Sequence, residues 1–249
     1  MAIIWQKKVN GVLHEIRSAG SSVRLYTDGV FHSQFNPRHP AGGHVWDLLM
    51  LPAFFLQPEK VRRILVLGAG GGAVMRQLNY FTQAEVIIGI DNNRWHHGLA
   101  RKYFGIRGRP FRLVRDDAVN WVSEYSGDSF DLVIDDLYGE QDGEPSRAVA
   151  ADADWFVRLY QLLSENGLLV INFLDRQHLG KSGWTVSADI RKLFASAFRL
   201  SMDNYENIIG VYCKAPVLRA DFKKRLQNYP ELDQRRKTCK LNYTMRALA

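Results

Sequence analysis

Residues 64–72 join a short apolar run to a glycine-rich turn and read Ile64-Leu65-Val66-Leu67-Gly68-Ala69-Gly70-Gly71-Gly72. The apolar run predicts a buried strand, and the spacing of Ala73–Phe81 predicts a helix directly after the turn. Such a turn lets the backbone approach a ligand and points the helix N-terminus toward it. The candidate ligand-binding residues are therefore Gly68, Gly70, Gly71 and Gly72, although the same turn also occurs without a ligand.

Alternating strand and helix patterns continue along the chain from this turn. Further strands are predicted at Glu85–Ile90, Phe111–Val114, Phe130–Ile134, Gly167–Phe173, Phe198–Met202 and Ile208–Cys213. Repeated strand–helix units predict an α/β fold, a mostly parallel sheet of seven strands with helices on both faces. The last two strands have no helix between them and predict an antiparallel pair at one edge.

The N-terminal region has a different pattern. Short runs of β-branched and aromatic residues predict three strands, at Val12–Arg17, Ser22–Thr27 and Val30–Phe35, and an apolar helix follows at His44–Leu56. We divide the chain into a small N-terminal β region with its lead-in helix (residues 1–55), a Rossmann-like domain (residues 56–218) and a basic, helical C-terminal tail (residues 219–249).

Composition narrows the functional classes. The 249 residues are 46% hydrophobic and 24% charged, as in globular proteins, and no apolar run is long enough for a transmembrane helix. The N-terminus lacks the residue order of a signal peptide, and the two cysteines form neither a metal motif nor a disulfide framework. We expect a cytoplasmic protein with no membrane partner and no metal.

The positive charge is concentrated at the C-terminal end. The net charge is +7, and residues 219–249 hold nine Lys/Arg against three Asp/Glu. This pattern fits either an anionic partner such as RNA or a solvated terminal helix and arm. We favour the second interpretation, so a nucleic-acid partner is not expected.

Two acidic positions follow the second and third predicted strands of the Rossmann-like domain. Asp91 lies about 20 residues after the glycine turn, where an acid can accept hydrogen bonds from ribose hydroxyls. Asp117, with Asp116 as the alternative, precedes Ala118 after the third strand, where an acid can accept from the adenine amine. Both aspartates could instead cap the following helices. The glycine turn, Asp91 and Asp117 follow three successive predicted strands. This arrangement favours an adenosyl ligand over a nicotinamide cofactor.

The fourth strand of this domain ends in acids, Phe130-Asp131-Leu132-Val133-Ile134-Asp135-Asp136-Leu137-Tyr138. Ligands bind beyond the carboxyl ends of parallel strands, which places Asp135 and Asp136 at the mouth of the site. Alternate strand residues face opposite ways, so we expect only one of the two to point into it. The later acids, Glu140, Asp142 and Glu144, are interpreted as a solvated loop.

The chain resembles the spermidine synthases over residues 10–215. These polyamine aminopropyltransferases are part of the class I S-adenosylmethionine-dependent methyltransferase superfamily. The resemblance rests on the N-terminal β region and on Leu65–Gly72, Ile90-Asp91, Asp116-Asp117-Ala118 and Phe130–Asp135. It implies a Rossmann-like fold, S-adenosylmethionine or its decarboxylated form as alkyl donor, a polyamine acceptor and a homodimer. In the family the fourth strand ends in D-S-S-D-P, and its first Asp is the base that acts on the attacking amine. The resemblance assigns this role to Asp135.

Several family positions differ in this chain. The Asp of the family loop G-G-G-D-G is replaced by Gly71, the second Asp of D-S-S-D by Tyr138, and the Tyr-His-Glu of the preceding helix has no counterpart in residues 42–47. An Asp at Gly71 would repel the carboxylate of S-adenosylmethionine by about 4 kcal/mol at about 4 Å and an effective dielectric near 20. We therefore expect the intact donor and favour methyl transfer to a small, amine-bearing acceptor, with Asp136 and Tyr138 as acceptor contacts.

Other functions fit parts of the same pattern. A true aminopropyltransferase with altered polyamine contacts is the main alternative. A nucleic-acid methyltransferase is favoured only by the basic tail, and Asp135-Asp136-Leu137-Tyr138 lacks the prolines of the D-P-P-Y signature. The two remaining alternatives are a nicotinamide-dependent enzyme and a non-catalytic binding protein.

Overall fold

The structure, a computed structural model, describes residues 1–141 and 144–248, excluding the side chains at positions 140, 141, 144 and 145. The described strands form a small N-terminal sheet, a two-stranded hairpin and a central sheet. Within the described ranges, no helix is both long and apolar enough to span a bilayer.

The N-terminal sheet is an antiparallel meander of four strands, β1 (Ala2–Val9), β2 (Val12–Ala19), β3 (Ser22–Thr27) and β4 (Val30–Phe35). Asp28 and Gly29 both have positive φ, 46° and 84°, as a two-residue type I′ hairpin turn requires. The sequence predicts β2, β3 and β4 but not β1. Most of β1 is exposed to solvent, so it lacks the alternating apolar pattern on which a strand prediction depends.

The connection to the central sheet is less helical than predicted. One helix is predicted at His44–Leu56, whereas the structure has α1 (Val45–Met50) and then 3-10 turns at Leu51–Phe55 and Pro58–Lys60. Pro52 accounts for the break, because it has no N–H group to donate to the preceding turn. Every residue from 46 to 55 is nevertheless buried, so the connection is part of the core.

The remaining strands, in chain order, are β5 (Arg63–Leu67), β6 (Val86–Ile90), β7 (Phe111–Val114), β8 (Phe130–Asp135), β9 (Tyr138–Gln141), β10 (Glu144–Arg147), β11 (Leu163–Phe173), β12 (Ser196–Met202), β13 (Ile208–Cys213) and β14 (Tyr243–Ala247). Eight of them form the central sheet in the order β14-β12-β13-β11-β8-β5-β6-β7. Strands β7, β6, β5, β8 and β11 are parallel, and β13, β12 and β14 continue the sheet antiparallel. The predicted α/β class and the antiparallel β12–β13 pair are confirmed, and β14 adds an eighth strand outside that pair.

The helices after α1 are α2 (Ala73–Phe81), α3 (Arg94–Tyr103), α4 (Ala118–Glu124), α5 (Ala153–Gln161), α6 (Arg176–Gly180), α7 (Gly183–Val186), α8 (Ala188–Lys192) and α9 (Arg219–Leu226). They cover both faces of the sheet, and each face has its own hydrophobic core. In β5, Ile64 and Val66 belong to one core and Leu65 and Leu67 to the other. Burial on both faces explains why this strand reads as an uninterrupted apolar run.

The segment after β8 is a hairpin and not the predicted loop. Strands β9 and β10 pair antiparallel, with Tyr138 opposite Arg147. The interpretation of the later acids as solvated is left open, since Asp142 lies outside the described residues and the side chains of Glu140 and Glu144 are not described.

The C-terminal tail is neither wholly helical nor separate from the domain, which corrects the prediction for residues 219–249. Phe222 of α9 is fully buried, with its ring 4.3 Å from that of Phe55. Arg225 donates to the carbonyl oxygens of Phe54 and Phe55, at 3.1 and 2.9 Å. Strand β14 then pairs with β12 at the sheet edge. The many Lys and Arg residues of this segment obscured the pattern of its few buried apolar residues, so its packing on the domain was not predicted.

Candidate functional site

The glycine turn lies between β5 and α2, against the end of β8. Gly68 has φ +83°, and a Cβ at this position would overlap the carbonyl oxygen of Asp136. The backbone N–H of Asp136 donates to the carbonyl oxygen of Leu67 at 2.9 Å. Gly68 is therefore required by the close approach of two strand ends, and the glycine turn and the acidic strand end adjoin each other as predicted.

The next glycines of the turn are hydrogen-bonded within the protein. Gly70 N–H donates to Asp91 Oδ2 at 2.7 Å, and Gly71 N–H donates to Ser33 Oγ at 2.8 Å. A Cβ on Gly71 would lie 2.8 Å from Ser33 Cβ and 3.0 Å from Phe104 Cζ. Packing against β4 thus accounts for the missing side chain at Gly71. The relief of charge repulsion inferred from the sequence is not needed to explain it.

Asp91 follows β6 directly, and its carboxylate is bonded on both oxygens. Oδ1 accepts from Asn93 N–H at 2.8 Å, and Oδ2, which bonds Gly70, also lies 3.4 Å from His96 Nδ1. Burial raises the pKa of Asp91, but these hydrogen bonds outweigh it and hold the pKa below its usual value. The side chain keeps about 10% exposure, which leaves a partly accessible anionic acceptor after β6.

Histidine side chains connect Asp91 to the N-terminal sheet. His96 Nε2 lies 3.2 Å from Thr27 Oγ1, and Thr27 Oγ1 lies 3.3 Å from His14 Nδ1. The ring of His32 is 4.8 Å from that of His96, and burial together with the nearby His96 lowers the pKa of His32 to about 4. Residues of strands β2, β3 and β4 therefore lie close to Asp91 through His96. Among the described residues, no three His, Cys, Asp or Glu side chains converge as metal ligands.

Asp117 caps helix α4. Its Oδ1 accepts from Val119 N–H at 2.9 Å and Asn120 N–H at 3.1 Å, while Asp116 Oδ1 accepts from the N–H of Asp117. The side chain of Asp117 is exposed and that of Ala118 is buried. The structure therefore shows the capping role that the sequence offered as the alternative, and an adenine contact through the same carboxylate stays a prediction.

Asp135, the last residue of β8, lies in the protein interior. Its side chain is fully buried, and Oδ2 accepts from Arg147 Nη2 at 2.7 Å and from Trp155 Nε1 at 2.9 Å. Oδ1 accepts from Leu137 N–H at 3.2 Å. A base has to reach the proton that it removes, and this carboxylate has no exposed surface. The role of base that the resemblance assigned to Asp135 does not fit this geometry.

Asp136 is the less buried of the two aspartates at this strand end. It is half-buried, and its Oδ1 accepts from Asn172 Nδ2 at 2.8 Å. Burial raises the pKa of Asp136 to about 6, with the hydrogen bond from Asn172 acting in the opposite direction. Asp135 and Asp136 thus differ in partners and exposure, as strand alternation predicts. A carboxyl group that titrates near neutral pH is suited to accept a proton.

Tyr138 packs beside Asp136. Its hydroxyl donates to the carbonyl oxygen of Asn172 at 3.1 Å, and burial raises its pKa above the usual value, so the phenol stays protonated. Asn207 Nδ2 also donates to Asn172 Oδ1, at 3.0 Å. Asn172, at the end of β11, therefore connects Asp136, Tyr138 and the β12–β13 turn.

Ser33, Arg147 and Asn172 are among the residues of the site that the sequence did not predict. A signal existed for Asn172, because it is the polar residue near the end of the predicted strand Gly167–Phe173, at the same sheet edge as Asp136. For Ser33 and Arg147 the sequence carries no such signal, since Ser33 is distant in the chain from Gly71 and Arg147 itself lies in an unpredicted hairpin.

The fold is the Rossmann-like fold of class I methyltransferases, and comparison with solved structures confirms it. A probable spermidine synthase from Corynebacterium glutamicum superposes with a TM-score of 0.71 at 18% identity, covering 91% of this chain and 88% of that one. Spermidine synthase from Thermotoga maritima gives 0.65 at 16% identity, with coverage of 92% and 78%. Human methyltransferase-like protein 13, in complex with SAH, gives 0.60 at 13% identity, with coverage of 76% and 91%.

Within this class, the chain is similar in sequence to curated polyamine aminopropyltransferases, which confirms the resemblance. Polyamine aminopropyltransferase 2 of Caldanaerobacter subterraneus is 31% identical over 128 residues, 50% of this chain and 42% of the relative. The Aeropyrum pernix enzyme is 26% identical over 172 residues, 67% of this chain and 51% of the relative. The chain thus spans about half the length of these relatives. No protein-family model matches it.

Proposed function

We propose that the protein transfers an aminopropyl group from decarboxylated S-adenosylmethionine to an amine of the polyamine class. The observation that carries the proposal is the half-buried Asp136 carboxylate beside the glycine turn, with a pKa of about 6. The similarity to polyamine aminopropyltransferases supports this choice of reaction. The methyl transfer favoured by the sequence has no such support, and the structure provides a packing reason for Gly71.

The reaction is an in-line displacement at the carbon bonded to the donor's sulfonium. The acceptor nitrogen forms the new C–N bond, the C–S bond breaks, and the sulfur keeps the electron pair as a neutral thioether. The nitrogen loses one proton, and Asp136 is the proposed acceptor of that proton. Asn172 orients the carboxylate through Oδ1, while Oδ2 accepts no hydrogen bond from the described part of the chain.

The donor site proposed here extends across the ends of β5, β6 and β7. Asp91 would accept from the ribose hydroxyls, and Asp117 from the adenine amine through the oxygen that does not cap α4. The remaining contacts would come from Gly68, Gly70, Gly71, Gly72 and Ala118. The N–H of Gly71 already donates to Ser33 Oγ and would not bind a donor carboxylate. Decarboxylated S-adenosylmethionine has no carboxylate, so it does not need this contact.

The surroundings of Asp136 suit an amine acceptor. The hydroxyl of Tyr138 lies within this cluster of oxygen and amide groups and would border the acceptor. A homodimer, implied by the resemblance, and a cytoplasmic location, expected from the sequence, remain part of the proposal.

The test separates the two reactions by their leaving groups. The protein is incubated with aliphatic diamines and polyamines of increasing length, with either decarboxylated or intact S-adenosylmethionine. Aminopropyl transfer releases methylthioadenosine, whereas methyl transfer releases S-adenosylhomocysteine, and chromatography resolves the two nucleosides. Methylthioadenosine from wild type, with a release rate lowered by about 10²–10⁴ in Asp136→Asn, supports the proposal. S-adenosylhomocysteine alone, or no product with any acceptor, contradicts it.

A further inference from the structure

A cavity of about 190 Å³ lies between the N-terminal sheet, the loop before α1, helix α2 and the C-terminal segment. Its walls include Arg24, Gln34, Asn36, His39, His44 and Lys240. None of the proposed donor or acceptor contacts is among the described residues that line it. The cavity is therefore distinct from the site at the strand ends.

The cavity is cationic. Arg24 and Lys240 both border it, and neither forms an ion pair with a carboxylate in the described part of the chain. No Asp or Glu is among its described lining residues. Burial and then the charges of Arg24 and Lys240 lower the pKa of His44, which lines the same cavity. Positive charge without a protein counter-ion favours an anionic ligand.

Asp47 is a buried carboxylate whose hydrogen-bond donors include residues that line the cavity. Asp47 Oδ2 accepts from three consecutive N–H groups, those of Gly42, Gly43 and His44, at 3.1, 2.6 and 2.8 Å. Asp47 Oδ1 accepts from the amide of Gln77. Because its acceptor positions are filled by the protein, Asp47 does not pair with Arg24 or Lys240.

The cationic wall is ordered by a chain of hydrogen bonds. Arg24 Nε donates to Gln34 Oε1 at 2.5 Å, so the amide nitrogen of Gln34 faces His44 and donates to its Nε2. His44 then carries its proton on Nδ1, which lies 3.3 Å from the hydroxyl of Tyr205. This arrangement holds the Arg24 guanidinium in place, which reduces the ordering that a ligand would have to impose.

We propose that this cavity binds a small oxyanion, a carboxylate or a phosphate, between Arg24 and Lys240. Its volume equals that of roughly six water molecules at about 30 Å³ each, which suits an inorganic phosphate or a short organic acid. Both oxyanions accept several charge-assisted hydrogen bonds, as Arg and Lys donors require. The proposal is independent of the aminopropyl transfer proposed above, because it concerns different residues and is tested by binding.

Calorimetric titration of the full chain at low salt, with inorganic phosphate and separately with succinate, tests the proposal and distinguishes the two oxyanions. Saturable binding of at least one probe is expected, with one site per chain. Lys240→Met should weaken binding by roughly tenfold, because a charge-assisted hydrogen bond is lost. Lys237→Met is the matched control, since it removes the same charge from an exposed side chain of the same segment outside the cavity.

A second readout locates the bound anion. Histidine side-chain NMR should show the pKa of His44 rising when the binding probe saturates, because the anion offsets the charges of Arg24 and Lys240. The exposed His178 should not respond. No saturable binding of either probe up to roughly 10 mM, or equal weakening by Lys237→Met and Lys240→Met, would overturn the proposal.

Discussion

The Arg147 guanidinium lies 2.7 Å from the Asp135 carboxylate, and the two side chains are 7% and 0% exposed. The pair connects the hairpin that follows β8 to the end of β8 itself. Arg147 also donates to the carbonyl oxygen of Asn172 at 2.6 Å, so it supports the residue that orients Asp136. A structural ion pair thus lies directly behind the proposed base.

Removal of one partner of this ion pair should destabilise the folded protein. In Arg147→Met the Asp135 carboxylate stays buried without its counter-ion, so the free energy of unfolding should fall by about 3–5 kcal/mol. Urea unfolding measures it, with the exposed Arg107→Met as a control that should stay within about 0.5 kcal/mol of wild type. Adding Asp135→Leu should restore most of the loss. If Arg147→Met alone is neutral, the pair does not stabilise the fold.

Asp136→Asn should abolish the proton transfer and leave the fold intact. The amide keeps the shape of the side chain, so turnover should fall by about 10²–10⁴ while donor affinity stays near the wild-type value. Turnover is measured as methylthioadenosine release, and affinity by calorimetry. The exposed Asp154→Asn is the matched control and should retain full turnover. Equal turnover in Asp136→Asn and wild type would exclude Asp136 as the base.

The rate should also depend on pH through the same carboxyl group. The pKa of Asp136 is raised to about 6, so below pH 6 the group is protonated and cannot accept a proton. We expect kcat/KM to rise as pH increases through about 6 and then to level off. The pH profile of wild type is compared with the residual activity of Asp136→Asn, which should lack this inflection. An identical inflection in both proteins would assign it to another group.

Stability at low pH should depend on His32. Its pKa is about 4 in the folded protein against 6.5 ordinarily, so the unfolded chain binds the extra proton between these values. The contribution of His32 should leave the free energy of unfolding of wild type at its full value above pH 6.5. It should lower that free energy by up to about 3 kcal/mol as the pH decreases. Asp47, whose pKa burial raises to about 6, acts in the opposite direction over the same range.

The His32 contribution is isolated by comparing variants. The difference in unfolding free energy between wild type and His32→Phe should change across pH 4–6.5, because only wild type has the histidine that must be deprotonated on folding. Asp47 is common to both proteins and cancels. The exposed His39→Phe should follow the wild-type profile. A difference that is constant with pH would show that His32 is not held neutral.

Gly71→Ala should be destabilising even though no ligand is present. The new methyl group would lie 2.8 Å from Ser33 Cβ and 3.0 Å from Phe104 Cζ, and such overpacking costs about 1–3 kcal/mol. Thermal unfolding measures the loss. Gly98→Ala is the control, because Gly98 lies in α3 with nothing within 4 Å of its Cβ position. That change should stabilise by about 0.5–1 kcal/mol. If neither substitution lowers the thermal stability, β4 does not pack tightly against the glycine turn.

The sequence predicts several elements of the central domain well. Helix α2 (Ala73–Phe81) and strands β7 (Phe111–Val114) and β13 (Ile208–Cys213) match the structure residue for residue, because each has a clear local pattern of apolar residues. Strands β1 and β14 were missed, since both are edge strands with many exposed residues. A sheet edge is completed by long-range pairing, and that pairing leaves little pattern in the local sequence.

The candidate site, like the fold, could be predicted only in part from the sequence. The glycine turn, Asp91 and the acids after β8 could be placed at one sheet edge because parallel strands end together. Which of Asp135 and Asp136 is accessible could not be decided, since the answer depends on Arg147, a residue of an unpredicted hairpin. The contact between Ser33 and Gly71 spans 38 residues and two sheets, beyond the reach of local patterns.

The C-terminal segment should be essential for stability, and Phe222→Ala tests this. The ring is fully buried and stacks on Phe55 at 4.3 Å, so its truncation should cost about 3–5 kcal/mol through lost burial and the remaining cavity. Leu218→Ala, one residue before α9 and 67% exposed, should change stability by less than about 0.5 kcal/mol. Urea unfolding compares the two variants. A basic tail independent of the domain would make both substitutions neutral, whereas a large loss in Phe222→Ala alone requires that α9 packs on the core.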